Sequence, residues 1–298
     1  MLDTRLGGLP GITAAYLVDG PSPALVETGA RTSAPVLIAA LAAAGIGPDD
    51  LAWIVLTHVH LDHCGGTGLA ARAFPRARIV VHRRGARHLV APERLVAASA
   101  LVYGERAPIY GGLDPVAEER VLAVEDGHRV PLGGGRELVM VEALGHARHH
   151  MAVLDEATGS LLAGDALGVA FQGSGLYPAV PPPDFDLAAT RTTLARLAAL
   201  RPERVCLAHF GPVPDPQAAI ALSERQQTVA AEAALSGWRR EPTRDAVARA
   251  MYEALPLEPA VADEAAIGRW RSLAWAEANV DGLVVWAERM AATAPGGS

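Results

Sequence analysis

His58, His60, Asp62 and His63 stand within six consecutive positions of the stretch LTHVHLDHCGG. Imidazole and carboxylate are the side chains that hold zinc, iron or manganese. A polar turn that happens to be rich in histidine is the other reading of such a run. In an extended segment alternate side chains share a direction, so His58 and His60 can point together. Asp62 and His63 follow where the chain turns into Cys64-Gly65-Gly66 and can point elsewhere. Two divergent pairs suit two adjacent metals better than one, so this run is expected to be half of a metal site. The other half is sought downstream. His146 follows the apolar run RELVMVEAL, Asp165 follows SLLAG and His209 follows RVCLA. Each is a metal-competent side chain just beyond a predicted strand, and that recurrence makes accident hard to defend.

The elements that must position these groups follow from pattern. LAWIVLT is short, apolar and rich in β-branched residues, which predicts a buried strand. It places the histidine run at a strand's C-terminal end, where α/β folds commonly carry function. Upstream, AAYLVDG and PALVETG predict a hairpin. SAPVLIAALAAAGI predicts a helix with Ser33 as N-cap and Gly45 as stop. Downstream, GLAARAF reads as helix and ARIVVH as strand. Residues 83 to about 110 read as a helical insert with a start at Pro92. MAVLDEATGSLLAGD predicts a second hairpin. LYPAVPPPDFD must be loop, because consecutive prolines exclude both helix and sheet interior. A helix over 187–200 then leads into the strand RVCLAHFG. Residues 215–298 are Ala-rich with no convincing strand and hold Trp238, Trp270, Trp275 and Trp286. They are expected to form a helical extension that caps the site or pairs two chains as a homodimer, with a frayed APGGS end.

The 298 residues suffice for one large domain or two modest ones, with 50% hydrophobic and 20% charged residues. A net charge of -7 disfavours a nucleic-acid surface, which needs clustered Lys and Arg. The longest apolar stretch, near Val36 to Ala44, is too short to span a bilayer. The first twenty residues lack the pattern of a signal peptide. With only Cys64 and Cys206, no disulfide framework is implied. A cytoplasmic protein acting on a small molecule, away from nucleic acid and membrane, is expected.

HVHLDH resembles the HxHxDH signature of the metallo-β-lactamase superfamily. His146, Asp165 and His209 match that superfamily's remaining metal-binding motifs in order and context, over roughly residues 12 to 212. The resemblance implies an α/β fold, the αββα sandwich of two mixed sheets flanked by helices, over residues 1–214. The helical extension follows over 215–298. The nearest branch is glyoxalase-II-like, in which an aspartate bridges two metals. Carried over, His58, His60 and His146 would hold the first metal, Asp62, His63 and His209 the second, and Asp165 would bridge. Two divalent ions are implied, zinc first, with iron or manganese as alternatives. The implied activity is hydrolysis of an ester-type substrate (thioester, lactone or phosphoester) by a metal-bridging hydroxide. Asp62 would be the catalytic group that orients the nucleophile and passes its proton.

This sequence departs from the family pattern in two places. Glu27 in VETG stands where the family usually shows Asp, and is expected still to orient the histidine loop. Arg148 and His149 in GHARHH replace smaller residues and proline, which could reshape the mouth. His149 is read as a rim residue and His150 as a structural or orienting group. Tyr103, Tyr110 and Tyr177 are candidates to touch substrate, Tyr177 and His149 being the ones carried forward. Cys64 is read as a packed thiol, Cys206 as core, and His82, His88 and His128 as surface or loop histidines. The competing class is redox. A mononuclear iron sulfur dioxygenase of the same fold would use the first ligand set. A flavo-diiron protein is disfavoured because His60 stands where that type carries Glu and no flavin module follows. A catalytically silent binding protein would not need the full ligand set.

Overall fold

The computed structural model describes residues 1–170, 175–255 and 275–293. Its strands form two six-stranded sheets. The first runs in chain order from β1 (Leu2–Asp3) through β2 (Ala14–Val18), β3 (Ala24–Val26), β4 (Trp53–Val55) and β5 (Arg78–His82) to β6 (Val121–Val124). The second contains β7 (Arg129–Gly133), β8 (Arg136–Glu142), β9 (Met151–Asp155), β10 (Ser160–Gly164), β11 (Arg204–Leu207) and β12 (Gly211–Pro212), also adjacent in sequence order. Both sheets are mixed. β3 to β6 pair in parallel and β10 pairs in parallel with β11, while the other pairings are antiparallel.

Period-two alternation sorts the side chains into layers. In the register of the first sheet, Val26, Val55 and Val80 lie side by side. They pack against Val130, Leu138, Met140, Met151 and Val153 of the second sheet. Their neighbours Leu25, Ile54 and Ile79 face outward. Ten helices occur among the described residues. α1 (Ala34–Ala43), α2 (Leu61–Cys64), α3 (Thr67–Ala73), α4 (Arg83–Val90), α5 (Glu93–Tyr103) and α6 (Ala107–Tyr110) belong to the first half. α7 (Leu187–Ala199), α8 (Pro216–Arg240), α9 (Arg244–Ala254) and α10 (Trp275–Thr293) follow. α1 and α3 cover the outer face of the first sheet through Leu37, Leu41 and Ala70. α7 covers that of the second through Leu194 and Leu197. The result is the four-layered αββα sandwich.

The sequence expectations differ from the structure at several points. Ser33 stands at the N-cap position of α1 but does not cap it through its side chain. A 3-10 turn over Arg31–Ser33 precedes the helix, and the Ser33 side chain makes no capping bond. Gly45 does end the turn, at φ +84°. Residues 111–135, to which no element is assigned from sequence, contain β6 and β7, each the outermost strand of its sheet. β7 carries Pro131, which an edge position tolerates and an inner one would not. The 83–110 insert is three helices, with Pro92 at the N-cap of α5.

α8, α9 and α10 share an apolar cluster that takes in Val180 and Phe185 of the proline-rich loop and Leu187 at the start of α7. Asn279 of α10 is buried and fastens that loop: its amide oxygen accepts from Val180 N–H at 2.8 Å and its amide nitrogen donates to Pro178 O at 2.8 Å. α10 comes so close that a Cβ on Gly282 would run into the Val180 carbonyl oxygen. Trp238 and Trp286 pack in this cluster. Trp270 and the APGGS end lie outside the described residues. None of the described helices is long and apolar enough to cross a membrane. Gly282→Val is expected to lower the melting temperature and speed proteolysis within 178–185. Unchanged melting and digestion would refute the close contact.

The second sheet carries one buried ionic tie. Asp155 accepts from Arg136 at 2.5 and 3.2 Å and from the Thr158 hydroxyl at 2.6 Å. Burial alone would raise its pKa, yet these hydrogen bonds leave it lowered. Its contribution to stability is therefore full above the unfolded value of about 3.9 and disappears as the pH falls through the lower folded value. Asp155→Asn is expected to lose about 1–3 kcal/mol near neutral pH, and less in acid, by denaturant unfolding. A deficit independent of pH would contradict this.

Candidate metal centre and cleft

The donor groups gather where strands end on one rim of the sandwich. β4 runs into 56–60, carrying His58 and His60. α2 then presents Asp62 and His63 from a single helical turn. His146 follows β8, Asp165 follows β10 directly, and His209 lies two residues beyond β11. His58, His60 and His146 bring ring nitrogens within 4.8 Å of one another, and so do the donor atoms of Asp62, His63 and His209. In the first set His60 Nδ1 is 3.0 Å from both His58 Nε2 and His146 Nε2. In the second, His209 Nε2 is 3.1 Å from His63 Nε2 and 3.4 Å from Asp62 Oδ2. Asp165 lies between the sets, its Oδ2 3.4 Å from His63 Nε2 and 3.6 Å from His146 Nε2.

Most of the rings are held from behind. His146 Nδ1–H donates to Ala179 O at 2.8 Å and His209 Nδ1–H to Ile12 O at 2.9 Å, which leaves both Nε2 lone pairs facing inward. The Thr57 hydroxyl donates to Glu27 Oε1 and so accepts from His58 Nδ1–H at 2.9 Å. Glu27 Oε1 also lies 3.5 Å from His63 Nδ1. Thus Glu27 touches the backs of both pairs. It sits at φ +69° just past β3, where Thr28 N–H and its hydroxyl both bond His63 O at 2.9 Å. Glu27, His58 and His63 form a third close donor set, but Glu27 Oε1 is engaged by Thr57.

Burial, then the neighbouring imidazoles, hold His58 and His60 well below the ordinary histidine pKa, so both rings stay neutral and each keeps one lone-pair nitrogen. Burial would raise Asp165, but His63 and His209 hold it well below the usual carboxylate range. Burial opposes a charge on His63, but Asp165, Asp62 and Glu27 outweigh it and raise that pKa. Three buried carboxylates among imidazoles therefore call for positive charge. Asp165 Oδ1 is buried with no hydrogen-bond partner. Neutral imidazoles at His58 and His60, the ionised Asp165 and its orphaned oxygen fit divalent metal ions.

Above the donors opens a cleft of about 210 Å³. His60, Asp62, His146 and Asp165 form its floor. Tyr103 and Tyr110, their rings stacked 3.8 Å apart, form part of its wall. Burial and then Asp62 raise both phenol pKa values, which keeps them protonated. His149 also lines the cleft, with its pKa pushed down to about 3 by burial and His146. Tyr177 is placed elsewhere. Its backbone pairs with Val169, and its side chain lines a separate small cavity with Pro178 and Met251. The pairing carries Tyr177 away from the floor that its closeness to Asp165 in sequence suggests.

His150 accepts the Asp165 N–H at 3.0 Å through Nε2. His82 is buried rather than on the surface. Its Nε2 lies 3.2 Å from Glu142 Oε1, and its Nδ1 accepts from Arg84 N–H at 3.1 Å as the cap of α4. Cys64 is buried and its thiol pKa is raised by burial, as for a packed side chain. Sequence reading does not find Thr57 or Asn279, since nothing local marks a threonine or asparagine whose partners lie 30 to 101 residues away.

A metal-binding αββα sandwich is thus the class of protein described, and comparison makes it specific. The family model of the metallo-beta-lactamase superfamily matches residues 8–209, so the chain belongs to that superfamily. The metallo-beta-lactamase fold-containing protein ST1585 of Sulfurisphaera tokodaii is 33% identical over 167 residues, 55% of this chain and 62% of that protein. Human metallo-beta-lactamase domain-containing protein 1 is 39% identical over 74 residues, covering only 26% of its length. The chain thus matches less than two thirds of either relative. The crystal structure of ST1585, an archaeal member of the superfamily, superposes with a TM-score of 0.70 at 25% identity, covering 92% of this chain and 93% of that one. The family protein TTHA1429 of Thermus thermophilus gives 0.65 at 26% identity, covering 96% and 91%.

Glu27→Gln removes the charge behind both donor pairs and is expected to weaken metal binding about 10- to 100-fold, read by competition with a chromophoric chelator. Wild-type affinity would show that Glu27 does not tune the site.

Proposed function

We propose that this protein is a dinuclear metal-dependent hydrolase of small ester-type molecules. One observation carries the reading: two buried three-donor sets share Asp165 at the floor of an accessible cleft. His58, His60 and His146 would hold one ion and Asp62, His63 and His209 the other, with Asp165 between them. Zinc suits this donor set, and iron or manganese would also be accepted. Bound there, two divalent ions supply Lewis acidity and acidify water toward neutral pH.

The chain's own groups do the rest. Asp62 lies on the floor and its pKa is lowered, with His63 and His209 overcoming the effect of burial. It can orient the attacking water and take up its proton. Tyr103 and Tyr110, kept protonated, can donate to charge developing on the substrate or leaving group. The proline-rich loop, fastened by Asn279, shields the floor from bulk water. A mononuclear oxidative reading needs only the first set and leaves the buried Asp62, His63 and His209 without a role. No observation favours it.

Metal analysis is expected to find two ions per chain, falling to about one in His146→Ala or His209→Ala, with hydrolysis lost alongside. His60→Ala and Asp62→Ala are expected to lose metal and activity together. One iron per wild-type chain, with oxygen uptake on sulfur substrates and no hydrolysis, would overturn the proposal.

A further inference from the structure

α5 is an unusual wall. None of its residues is fully buried, and Val102 is 38% exposed. A surface helix ordinarily turns its apolar stripe onto the core. Here Leu95, Val96 and Tyr103 pack against the core, while Leu95, Ala98, Ser99 and Val102, at helical spacings of three, four and seven, line the cleft. Pro181, Pro182 and Pro183 also line it. Between them the walls are apolar, while the polar groups concentrate on the floor.

Among the described residues that line the cleft, the permanently charged side chains have one sign, beside the imidazoles of His60, His146 and His149. They are Asp62, Asp165 and Asp184, with no Lys or Arg. The bases near the rim are engaged: Arg148 lies 3.3 Å from Asp184, and Arg106 3.2 Å from Glu277. Beyond the ions that the floor would hold, a phosphoester or a carboxylate-bearing thioester would find no guanidinium or ammonium among the described wall residues to receive a further charge.

Resting on the hydrolase reading above, we infer that the substrate is an uncharged carboxylic ester, thioester or lactone. Its apolar arm lies along the α5 stripe, and Ala98 sets how much of that arm the cleft admits. The scissile carbonyl sits on the floor beside Asp62 and Asp165, and the arm displaces water from Leu95, Ala98 and Val102. Each buried methylene then adds transition-state binding until the cleft is filled.

The test is turnover of 4-nitrophenyl esters from acetate to octanoate by the metal-loaded protein, with bis(4-nitrophenyl) phosphate as the anionic comparison. Binding of uncharged hexanamide is followed in parallel by calorimetry. kcat/KM is expected to rise about three- to fourfold per methylene. Ala98→Phe is expected to cut the octanoate-to-acetate ratio about tenfold and to weaken hexanamide binding. Leu101→Ala, on the outer face of α5, is expected to leave the ratio unchanged. A flat chain-length profile, an unchanged ratio in Ala98→Phe, or faster turnover of the phosphodiester would overturn the inference while leaving a hydrolase. If no ester is cleaved but hexanamide binds the wild type and not Ala98→Phe, the hydrolase reading falls and the apolar wall stands.

Discussion

Seven nitrogen and oxygen donors crowd into a space from which bulk water is largely excluded. Left alone, such groups would turn apart, hydrate or protonate. They stay converged because most of the rings are tied on the side away from the centre. Ile12, Ala179 and the Thr57–Glu27 pair supply those ties. Each tie comes from a different part of the chain, so the centre keeps its geometry only while both sheets and the loops between them hold their places.

That demand explains details of the backbone that would otherwise look incidental. Gly164 ends β10 at φ +54°, and a Cβ there would press on His150 and on the Thr57 hydroxyl. A larger residue would push apart the two groups that set the Asp165 amide and the His58 ring. Gly65 and Gly66 lie against the backbone of Arg31 and Thr28, so the short turn carrying Asp62 and His63 nests beneath the end of β3. Glu27 accepts a left-handed conformation at the same place, which brings its carboxylate behind both histidine pairs.

Polarity divides between floor and walls. The floor is made by strand ends, where side chains leave the sheet in fixed directions and can be converged. The walls are made by α5 and by the proline-rich loop, which the C-terminal helices hold through Asn279 and Gly282. In this arrangement the ligands come from the sandwich, whereas the shape of the cleft depends on segments that the sandwich does not itself require. Chemistry and selectivity are thereby governed by different parts of the molecule.

The candidate donors are legible from sequence because HVHLDH is compact and because His146, Asp165 and His209 each close a recognisable apolar run. Short apolar runs in PALVETG, LAWIVLT and ARIVVH likewise mark three neighbouring strands, since burial on both faces forces apolar residues at nearly every position. β7 stays hidden because an edge strand tolerates Pro131 and Arg129, and β6 because its apolar run VLAV is only four residues long. His82 reads as a surface group because nothing local announces burial beside Glu142. Tyr177 reads as a site residue because nearness in sequence to Asp165 says nothing about which way the pairing with Val169 turns it. Local composition and short-range pattern therefore specify the kinds of donor and the strand ends that carry them. Which rings share a partner and which helix faces the cleft are settled only in the folded molecule. Those outcomes depend on contacts between residues distant in the chain, where packing and not local preference sets the geometry.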